Sequence, residues 1–414
     1  MDFSFSSDQQ LLKNSARGFL DEHVKPATVR LLWDDPRGES DTLWKEIAQL
    51  GWLGLSLPEA HGGSGLGMVE TALLLEEMGR AAYPGPYWPT VLAATAIELA
   101  GAEAQKKRWL PAVATGDARA TIAFLDTELD WRPEAAQTRA EKTGKGWTLS
   151  GRKRFVPWAH VADVLLVPAQ TPDGLTLFLL DPRAAGLALE PVPVMDLATR
   201  LVDVTLDRAP VAADALLGGP GQAGPLLAAL LRRGAVGAAA EMLGAARRCL
   251  DMAVGYAKVR EQFGQPIGSF QAIRHKCAEM LLEAENSHSA VYYAAWALDA
   301  KAEDAELAAS VAKAYVGDAA RKVCPRRSSR CTGTATTTAK RSSDVWRRSA
   351  PPWPRRRSRA SESSTSRATS RAPTPRCSSP TWAPTWSRSS PSRATASASS
   401  PVSSAGTAAS ARSR

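Results

Sequence analysis

The last 90 residues of this 414-residue chain, from Pro325 to Arg414, lack leucine, isoleucine, methionine, phenylalanine, tyrosine and histidine. Their only aliphatic side chains larger than alanine are Val345 and Val402. A segment so poor in apolar side chains cannot bury enough surface to offset the entropy cost of ordering its backbone. We therefore expect residues 325–414 to form a disordered, low-complexity tail.

Other features are missing from the whole chain. No apolar run reaches the ~18 residues that a membrane-spanning helix needs. The first residues, MDFS, are acidic and lack the basic start of a signal peptide. The five cysteines show no spacing typical of a metal site or a disulfide framework. We therefore expect a cytoplasmic protein with no membrane span and no metal site.

The charge is divided unevenly along the chain. The total is 51 Lys and Arg against 42 Asp and Glu, a net charge of +9. The tail holds 18 of the basic and 2 of the acidic residues, or +16, which leaves −7 for the first 324 residues. A basic tail could bind nucleic acid or anionic lipid, and its four tryptophans could stack on bases. Its near absence of lysine and of repeated motifs argues against this alternative.

Residues 1–117 predict an all-helical N-terminal domain, because apolar residues recur with helical spacing through 8–22, 43–50 and 68–80. A glycine-rich loop, HGGSGLG at 61–67, precedes the third of these helices. Such a loop could hold a phosphate at a helix N-terminus, but no strand precedes it and no Lys-Ser/Thr pair ends it. These features favour the alternative of a flexible turn.

The periodicity changes twice after residue 117. Residues 118–217 contain short, β-branched or alternating runs with no helical pattern between them, which predicts an antiparallel β domain. Residues 222–324 contain three long segments rich in alanine and leucine, which predict an antiparallel helical bundle that stops after three helices. The predicted fold class is therefore α+β multidomain: an N-terminal all-α domain, a middle antiparallel β domain, an incomplete C-terminal α-helical bundle and the tail.

Several segments resemble the acyl-CoA dehydrogenase family. Residues 57–67 read LPEAHGGSGLG and are followed by LEEMGR at 75–80, which is similar to the family's first-domain signature. GRKRFV at 151–156 resembles a strand of its β domain. The most specific match is YAKVREQFGQPIGSFQAIRHK at 256–276. The resemblance covers residues 1–324, and the predicted domain order agrees with it.

This resemblance implies a flavoprotein of fatty acid or lipid metabolism. In such enzymes FAD lies between the β domain and the bundle, and an acyl-CoA loses an α proton and a β hydride. The electrons pass to an electron-transfer flavoprotein, and the subunits associate through the bundle as homo- or hetero-oligomers. The resemblance does not specify the acyl group, so a short, long or sterol-type chain remains open.

The resemblance also indicates which residues would contact the cofactor. Arg260 would reach the FAD diphosphate, with Gln262 and Phe263 contributing, often across a subunit boundary. The alternative for Arg260 is a solvated cation favoured by the helix dipole. On the β domain, the candidates for FAD contacts are Thr127, Val156 and Trp158.

The β-domain candidates lie in segments that depart from the family pattern. Of the family's Thr-Glu-Pro and Gly-Ser-Asp flavin loop, only Thr127 and the glutamate after it remain. The hydroxyl that the family places near the flavin is replaced by Pro157, which has no N–H to donate. Trp158 could stack on the flavin ring or merely pack against the protein.

The catalytic carboxylate of the family is not found in this sequence. One family position for it falls at Gly234, and the other lies in a part of the bundle that has no counterpart here. Glu241, two helical turns beyond Gly234, is better explained as a packed or solvated acid than as a base. The chain could therefore be an impaired enzyme or the non-catalytic subunit of a heteromeric one.

The composition of the tail suggests a cause for the missing part of the bundle. Its Arg, Ser, Pro, Thr and Ala vocabulary is typical of GC-rich coding DNA read out of frame. Shifting the frame through residues 330–333 permits Leu, Val or Met, then His or Tyr, then Gly, Arg or Trp. This allows the start of the family's next motif, Leu/Val-His-Gly-Gly, but Thr334 does not permit its second glycine. We hypothesise a coding shift near Cys324, and the alternative is a genuine basic tail.

Overall fold

The structure, a computed structural model, describes residues 5–127, 130–144 and 146–331. Helices come first, a sheet follows and long helices complete the order, which confirms the predicted α+β multidomain fold class. The predicted bundle ended at residue 324, whereas the last helix continues to Cys331. The rest of the predicted tail, residues 332–414, lies outside the described residues.

The N-terminal part is helical. Ser6 caps the first helix by accepting a hydrogen bond from the Gln9 amide, while the Gln9 side chain accepts one from the Ser6 amide. This capping box satisfies two amides that the helix itself leaves unpaired. The helices are α1 Ser7–His23, α2 Pro26–Trp33, α3 Asp41–Gln49, α4 Met68–Ala81, α5 Tyr87–Ala100 and α6 Glu103–Ala114.

The sheet of the middle part is largely antiparallel, as expected. Its strands are β1 Ala120–Ile122, β2 Arg139–Thr143, β3 Gly146–Pro157, β4 Val164–Thr171, β5 Gly174–Leu180, β6 Leu187–Val192, β7 Leu201–Ala212 and β8 Leu216–Leu217. Their order is β6-β7-β3-β2-β4-β5-β8, with β1 beside β4. The pairs β1–β4 and β2–β4 are parallel. No crossover helix is needed for β1–β4, because the β2–β3 hairpin lies in the connection and provides its length.

Three long helices follow the sheet: α7 Ala223–Val259, α8 Gln271–Asp299 and α9 Ala305–Cys331. A two-residue pair of strands, β9 Glu261–Gln262 and β10 Gln265–Pro266, joins α7 to α8. All three helices contribute to one apolar cluster, formed by Ala246, Leu250, Met280, Ala284 and Val323. Within the part of the chain that the structure describes, no helix is long and apolar enough to cross a bilayer.

Helices α4 and α7 cross in direct backbone contact. A Cβ atom added at Gly79 on α4 would overlap the carbonyl oxygen of Glu241, and one added at Gly244 on α7 would overlap that of Glu76. Only glycine therefore fits at both positions. This crossing fixes the N-terminal helices against the bundle.

A buried charge cluster lies beside this crossing. The Glu76 carboxylate, 1% exposed, lies 3.0 Å from Lys13 Nζ of α1 and 3.5 Å from Arg247 Nε of α7, and it accepts a hydrogen bond from the Tyr292 hydroxyl of α8. Burial by itself would raise the pKa of Glu76, but Lys13, Arg247 and Tyr292 together hold that pKa below its ordinary value. The cluster therefore links four helices through one carboxylate.

We predict that this carboxylate makes stability depend on pH. Because the pKa of Glu76 is lower in the folded protein, its contribution is present above the ordinary value of 4.5 and is lost as pH falls through the folded value. Glu76→Gln should remove this dependence and cost ~1–3 kcal/mol at neutral pH, because the buried Lys13 ammonium loses its nearest counter-charge. Lys13 keeps Glu77 at 4.0 Å, and Arg247 keeps Glu285 at 3.3 Å. Urea unfolding at neutral and acidic pH measures both effects. Equal stability of Glu76→Gln and a control at the exposed Glu103, Glu103→Gln, would contradict the prediction.

Candidate functional site

Strand β3 bulges opposite Asp203 of β7. The register of the two strands shifts between Leu149 and Gly151 and again between Lys153 and Val156, and Asp203 faces the two extra residues of the second shift. The Asp203 carboxylate, on a residue 4% exposed, accepts a hydrogen bond from the Phe155 amide at 3.0 Å. Phe155 adopts a left-handed backbone conformation with φ of +52°. Asp203 was not among the residues predicted from the sequence.

The bulge leads into two of the predicted cofactor residues. Val156 is 1% exposed and Trp158 is 3% exposed, so both side chains are buried within this chain. The Trp158 amide donates to the Arg200 carbonyl at 2.9 Å, and its indole stacks on the imidazole of His160 at 5.9 Å between ring centroids. Burial lowers the pKa of His160, so that this imidazole is neutral at pH 7. The small exposed area of the indole favours the packing alternative for Trp158.

Thr127, the remaining predicted cofactor contact on the β domain, is half-buried. It directly follows Asp126, a second acid with a buried side chain. Asp126 lies 2.7 Å from Lys153 Nζ, and it accepts hydrogen bonds from both the amide and the hydroxyl of Thr138. The Lys153 side chain is fully buried, and burial lowers the pKa of its amine although the charge of Asp126 opposes this effect. The pair therefore fixes the Thr127 segment to β3. Residues 128–129 lie outside the described residues.

The α7–α8 connection holds the other predicted cofactor residues together. Arg260, Gln262 and Phe263 are all exposed, and the Phe263 side chain is 92% exposed. Phe263 has φ of +54°, and its ring meets the edge of Phe270 at 6.1 Å. The turn therefore places an arginine, a glutamine and a phenylalanine together at the surface of the described chain.

The face of α7 at which the resemblance places the family's catalytic base carries glycines in this chain. A Cβ atom at Gly234 would meet the Leu92 side chain of α5 at 3.5 Å, an ordinary contact, whereas one at Gly237 would overlap the Trp88 indole. Glu241 follows on the same face. Burial raises the pKa of Glu241 to about 7, and the negative charge of Asp196 adds to this effect.

The glycine-rich loop before α4 has a structural partner for its helix N-terminus. The amides of Met68 and Val69 donate to the two carboxylate oxygens of Asp299, at 2.8 and 3.0 Å. Asp299 ends α8, so a protein carboxylate occupies the position where a phosphate could bind. This contact favours a turn over a phosphate site for the glycine-rich loop.

We predict that Asp126→Asn destabilises the protein by ~3–5 kcal/mol, because it leaves the buried Lys153 ammonium without a counter-charge. Replacing both residues, as Asp126→Asn with Lys153→Met, should recover most of this loss. Urea unfolding curves of the wild type, both single variants and the double variant measure the coupling. Additive effects of the two substitutions would show that the ion pair contributes nothing.

Comparisons with known proteins agree on one family. The description "Acyl-CoA dehydrogenase, N-terminal domain" matches residues 6–117, and "Acyl-CoA dehydrogenase, C-terminal domain" matches residues 225–349. The probable acyl-CoA dehydrogenase YngJ of Bacillus subtilis is 30% identical over 336 residues, which cover 78% of this chain and 87% of that protein.

Solved structures show the same similarity. The ChsE4–ChsE5 complex from Mycobacterium tuberculosis matches with a TM-score of 0.71 and 29% identity, over 78% of this chain and 86% of that one. A glutaryl-CoA dehydrogenase from Mycobacterium smegmatis, solved in complex with FADH2, matches with a TM-score of 0.72 and 26% identity, over 80% and 86%. FAD is the cofactor that such relatives bind. This chain belongs to the acyl-CoA dehydrogenase family.

Proposed function

We propose that this chain is an FAD-binding subunit of an acyl-CoA dehydrogenase and that, by itself, it lacks the catalytic base. The family reaction removes the α proton and the β hydride of an acyl-CoA to give the 2,3-enoyl-CoA, and FAD supplies the hydride acceptor. The proposal rests on one combination of observations. The cofactor-type turn at Arg260–Phe263 is present and exposed, while the base position on α7 is Gly234.

The residues of the turn fit the diphosphate of FAD. Among the residues that the structure describes, no carboxylate pairs with the Arg260 guanidinium, so its donors remain available for phosphate oxygens. Gln262 uses its amide nitrogen to bond the Glu261 carbonyl at 2.8 Å, which leaves its side-chain oxygen free to accept. Phe263 adds an exposed apolar ring. We infer that Arg260 neutralises the diphosphate and that Gln262 and Phe263 orient the cofactor.

The β domain would hold the flavin ring of FAD mainly through the shape of its backbone. Pro157 cannot donate a hydrogen bond, so donors to the ring from this strand would be backbone groups near the Phe155 bulge. The buried Val156 and Trp158 side chains keep water from this part of the strand. Binding here therefore depends on a fixed backbone, and it should be weaker than where a side-chain hydroxyl contributes.

Among the residues that the structure describes, none is positioned to remove the α proton of an acyl-CoA. Glu241 has a pKa near that of an efficient base at pH 7. It lies seven residues after Gly234, however, and an α-helix rises 1.5 Å per residue, so the two positions are about 10 Å apart along α7. A base must come within hydrogen-bond distance of the proton it removes. We infer that this chain alone desaturates an acyl-CoA slowly or not at all.

A second candidate function is that of a non-catalytic subunit in a heteromeric acyl-CoA dehydrogenase, in which a partner chain supplies the base. One similar solved structure is a complex of two chains, ChsE4 and ChsE5. The exposed Val259 and Phe263 side chains, 74% and 92% exposed, give this chain an apolar contact surface beside the cofactor turn. Both candidates retain the FAD role: in the first the chain is an impaired enzyme, and in the second it is a non-catalytic subunit whose partner supplies the base.

The remaining assignments follow the same proposal. Electrons would leave through an electron-transfer flavoprotein, subunits would associate through the bundle, and the protein would work in the cytoplasm. Resequencing the gene would decide whether the coding frame shifts near Cys324. A basic tail that binds nucleic acid or anionic lipid is the alternative, and salt-dependent binding to polynucleotides would support it.

We predict that the purified full-length protein binds FAD and is yellow, and that Arg260→Ala weakens the affinity by ~10-fold or more, because one charge-assisted contact to phosphate is lost. Fluorescence titration with FAD measures both values. Lys107→Ala, which removes an exposed cation from α6, serves as the control. A colourless wild type that binds no added FAD would contradict the proposed function.

We also predict that Gly234→Glu creates a base. A side chain fits at Gly234, and a positioned general base contributes ~10²–10⁴-fold to a proton transfer. Anaerobic mixing of the FAD-loaded variant with butyryl-CoA, octanoyl-CoA or a sterol acyl-CoA should bleach the flavin. Gly234→Gln is the matched control, since it has the same size and no base. Equal bleaching rates for the Glu and Gln variants would exclude Gly234 as the vacant base position.

A further inference from the structure

One carboxylate organises the bulge of β3. Asp203 accepts the Phe155 amide on Oδ1, while its Oδ2 lies 2.8 Å from both the Arg152 guanidinium and Arg154 Nε. Its neighbours along β7 are Val202 and Val204, which are 1% and 0% exposed. A charged side chain in this apolar strand is costly to bury unless it is paired and hydrogen-bonded. The three contacts together offset that cost.

The contacts of Asp203 hold a backbone conformation that the sequence does not favour. A non-glycine residue with left-handed φ costs ~1–3 kcal/mol and persists only where its surroundings impose it. The Phe155 amide donates its hydrogen bond to the Asp203 carboxylate, whereas in regular pairing it would donate to a carbonyl of β7. The ring of Phe155 lies under the Arg154 guanidinium at 4.9 Å, which fixes the residue from its other side.

The bulge also joins the two segments of the β domain that carry predicted cofactor contacts. The Arg154 amide turns away from β7 and donates to the Leu125 carbonyl at 2.7 Å. Leu125 lies two residues before Thr127, and Arg154 lies two residues before Val156. The same irregularity therefore sets the position of both segments.

We propose that Asp203 is a positioning residue for the flavin ring: by holding the Phe155 bulge, it sets the backbone from Val156 to Trp158 that faces the cofactor. This inference rests on the proposed function, because it assumes that the chain binds FAD. Asp203 acts through the backbone and through the two arginines, and its carboxylate does not touch the ring. Its charge also balances two guanidinium groups beside the site, of which Arg154 is only 22% exposed.

The proposal predicts two effects of Asp203→Asn on the FAD-loaded protein. The affinity for FAD should fall by ~10-fold or more, because a neutral amide holds the bulge less firmly than a carboxylate does. The flavin midpoint potential should become more positive, because removing the negative charge of Asp203 favours the reduced, more anionic flavin. Asp207→Asn is the control, since Asp207 lies on the same strand with an 82% exposed side chain.

The experiment measures FAD affinity, the visible flavin spectrum and the midpoint potential of the wild type and of Asp203→Asn, Asp203→Glu and Asp207→Asn. We expect Asp203→Asn to change all three, Asp203→Glu to recover the potential but only part of the affinity, and Asp207→Asn to match the wild type. If Asp203→Asn does not fold, Asp203→Glu decides: a wild-type affinity for FAD in that variant would overturn the proposal, and a lowered affinity would support it.

The outcomes separate this inference from the proposed function. A wild-type protein that binds no FAD overturns both. A wild-type protein that binds FAD, together with a folded Asp203→Asn variant of equal affinity, spectrum and potential, overturns the positioning role alone. A variant that loses only thermal stability would assign Asp203 a purely structural role and would likewise overturn the proposal.

Discussion

The close crossing of α4 and α7 is the contact on which the arrangement of the molecule depends. Gly79 and Gly244 place each helix against a backbone carbonyl of the other, and any larger side chain would separate them. The Glu76 cluster beside the crossing adds α1 and α8 to the same joint. With α7 fixed in this way, its glycine face lies against α5, and its far end presents the Arg260–Phe263 turn at the surface.

A second constraint acts on the β domain. Two buried aspartates, Asp126 and Asp203, each satisfy several donors in otherwise apolar surroundings, and both act on β3. Buried charges of this kind add little net stability compared with apolar residues of the same shape, but they specify one arrangement and penalise others. Here they specify the irregular part of β3. The candidate cofactor contacts therefore fall on two separate parts of the chain, a charge-held strand and an exposed turn.

The sequence predicted the parts of the fold in which one side of an element is buried. Apolar periodicity located α1, α3, α4 and the three long helices, and it located most strands of the sheet. It did not single out α5, which is apolar nearly all round, or β2, whose residues RAEKT are mostly polar and exposed. The parallel pairing of β1 with β4 was also missed, because long-range topology leaves no local pattern.

The candidate site could be predicted only in part. Arg260, Gln262 and Phe263 came from the resemblance to the family, and the structure groups them on one turn. Asp203 left a weak signal, an acid between two valines of a buried strand. The left-handed conformation of Phe155 left none, because it depends on contacts with Asp203 and Leu125 from other segments.

We propose that this family member binds FAD through the Arg260–Phe263 turn and lacks the catalytic base because Gly234 stands at the base position. The most direct test of this proposal is anaerobic addition of an acyl-CoA to the FAD-loaded wild-type chain, followed by the visible absorbance of the flavin. We expect the flavin absorbance to shift as the acyl-CoA binds and not to bleach. Rapid bleaching by the wild-type chain alone would contradict the proposed function, since that result requires a catalytic base within this chain.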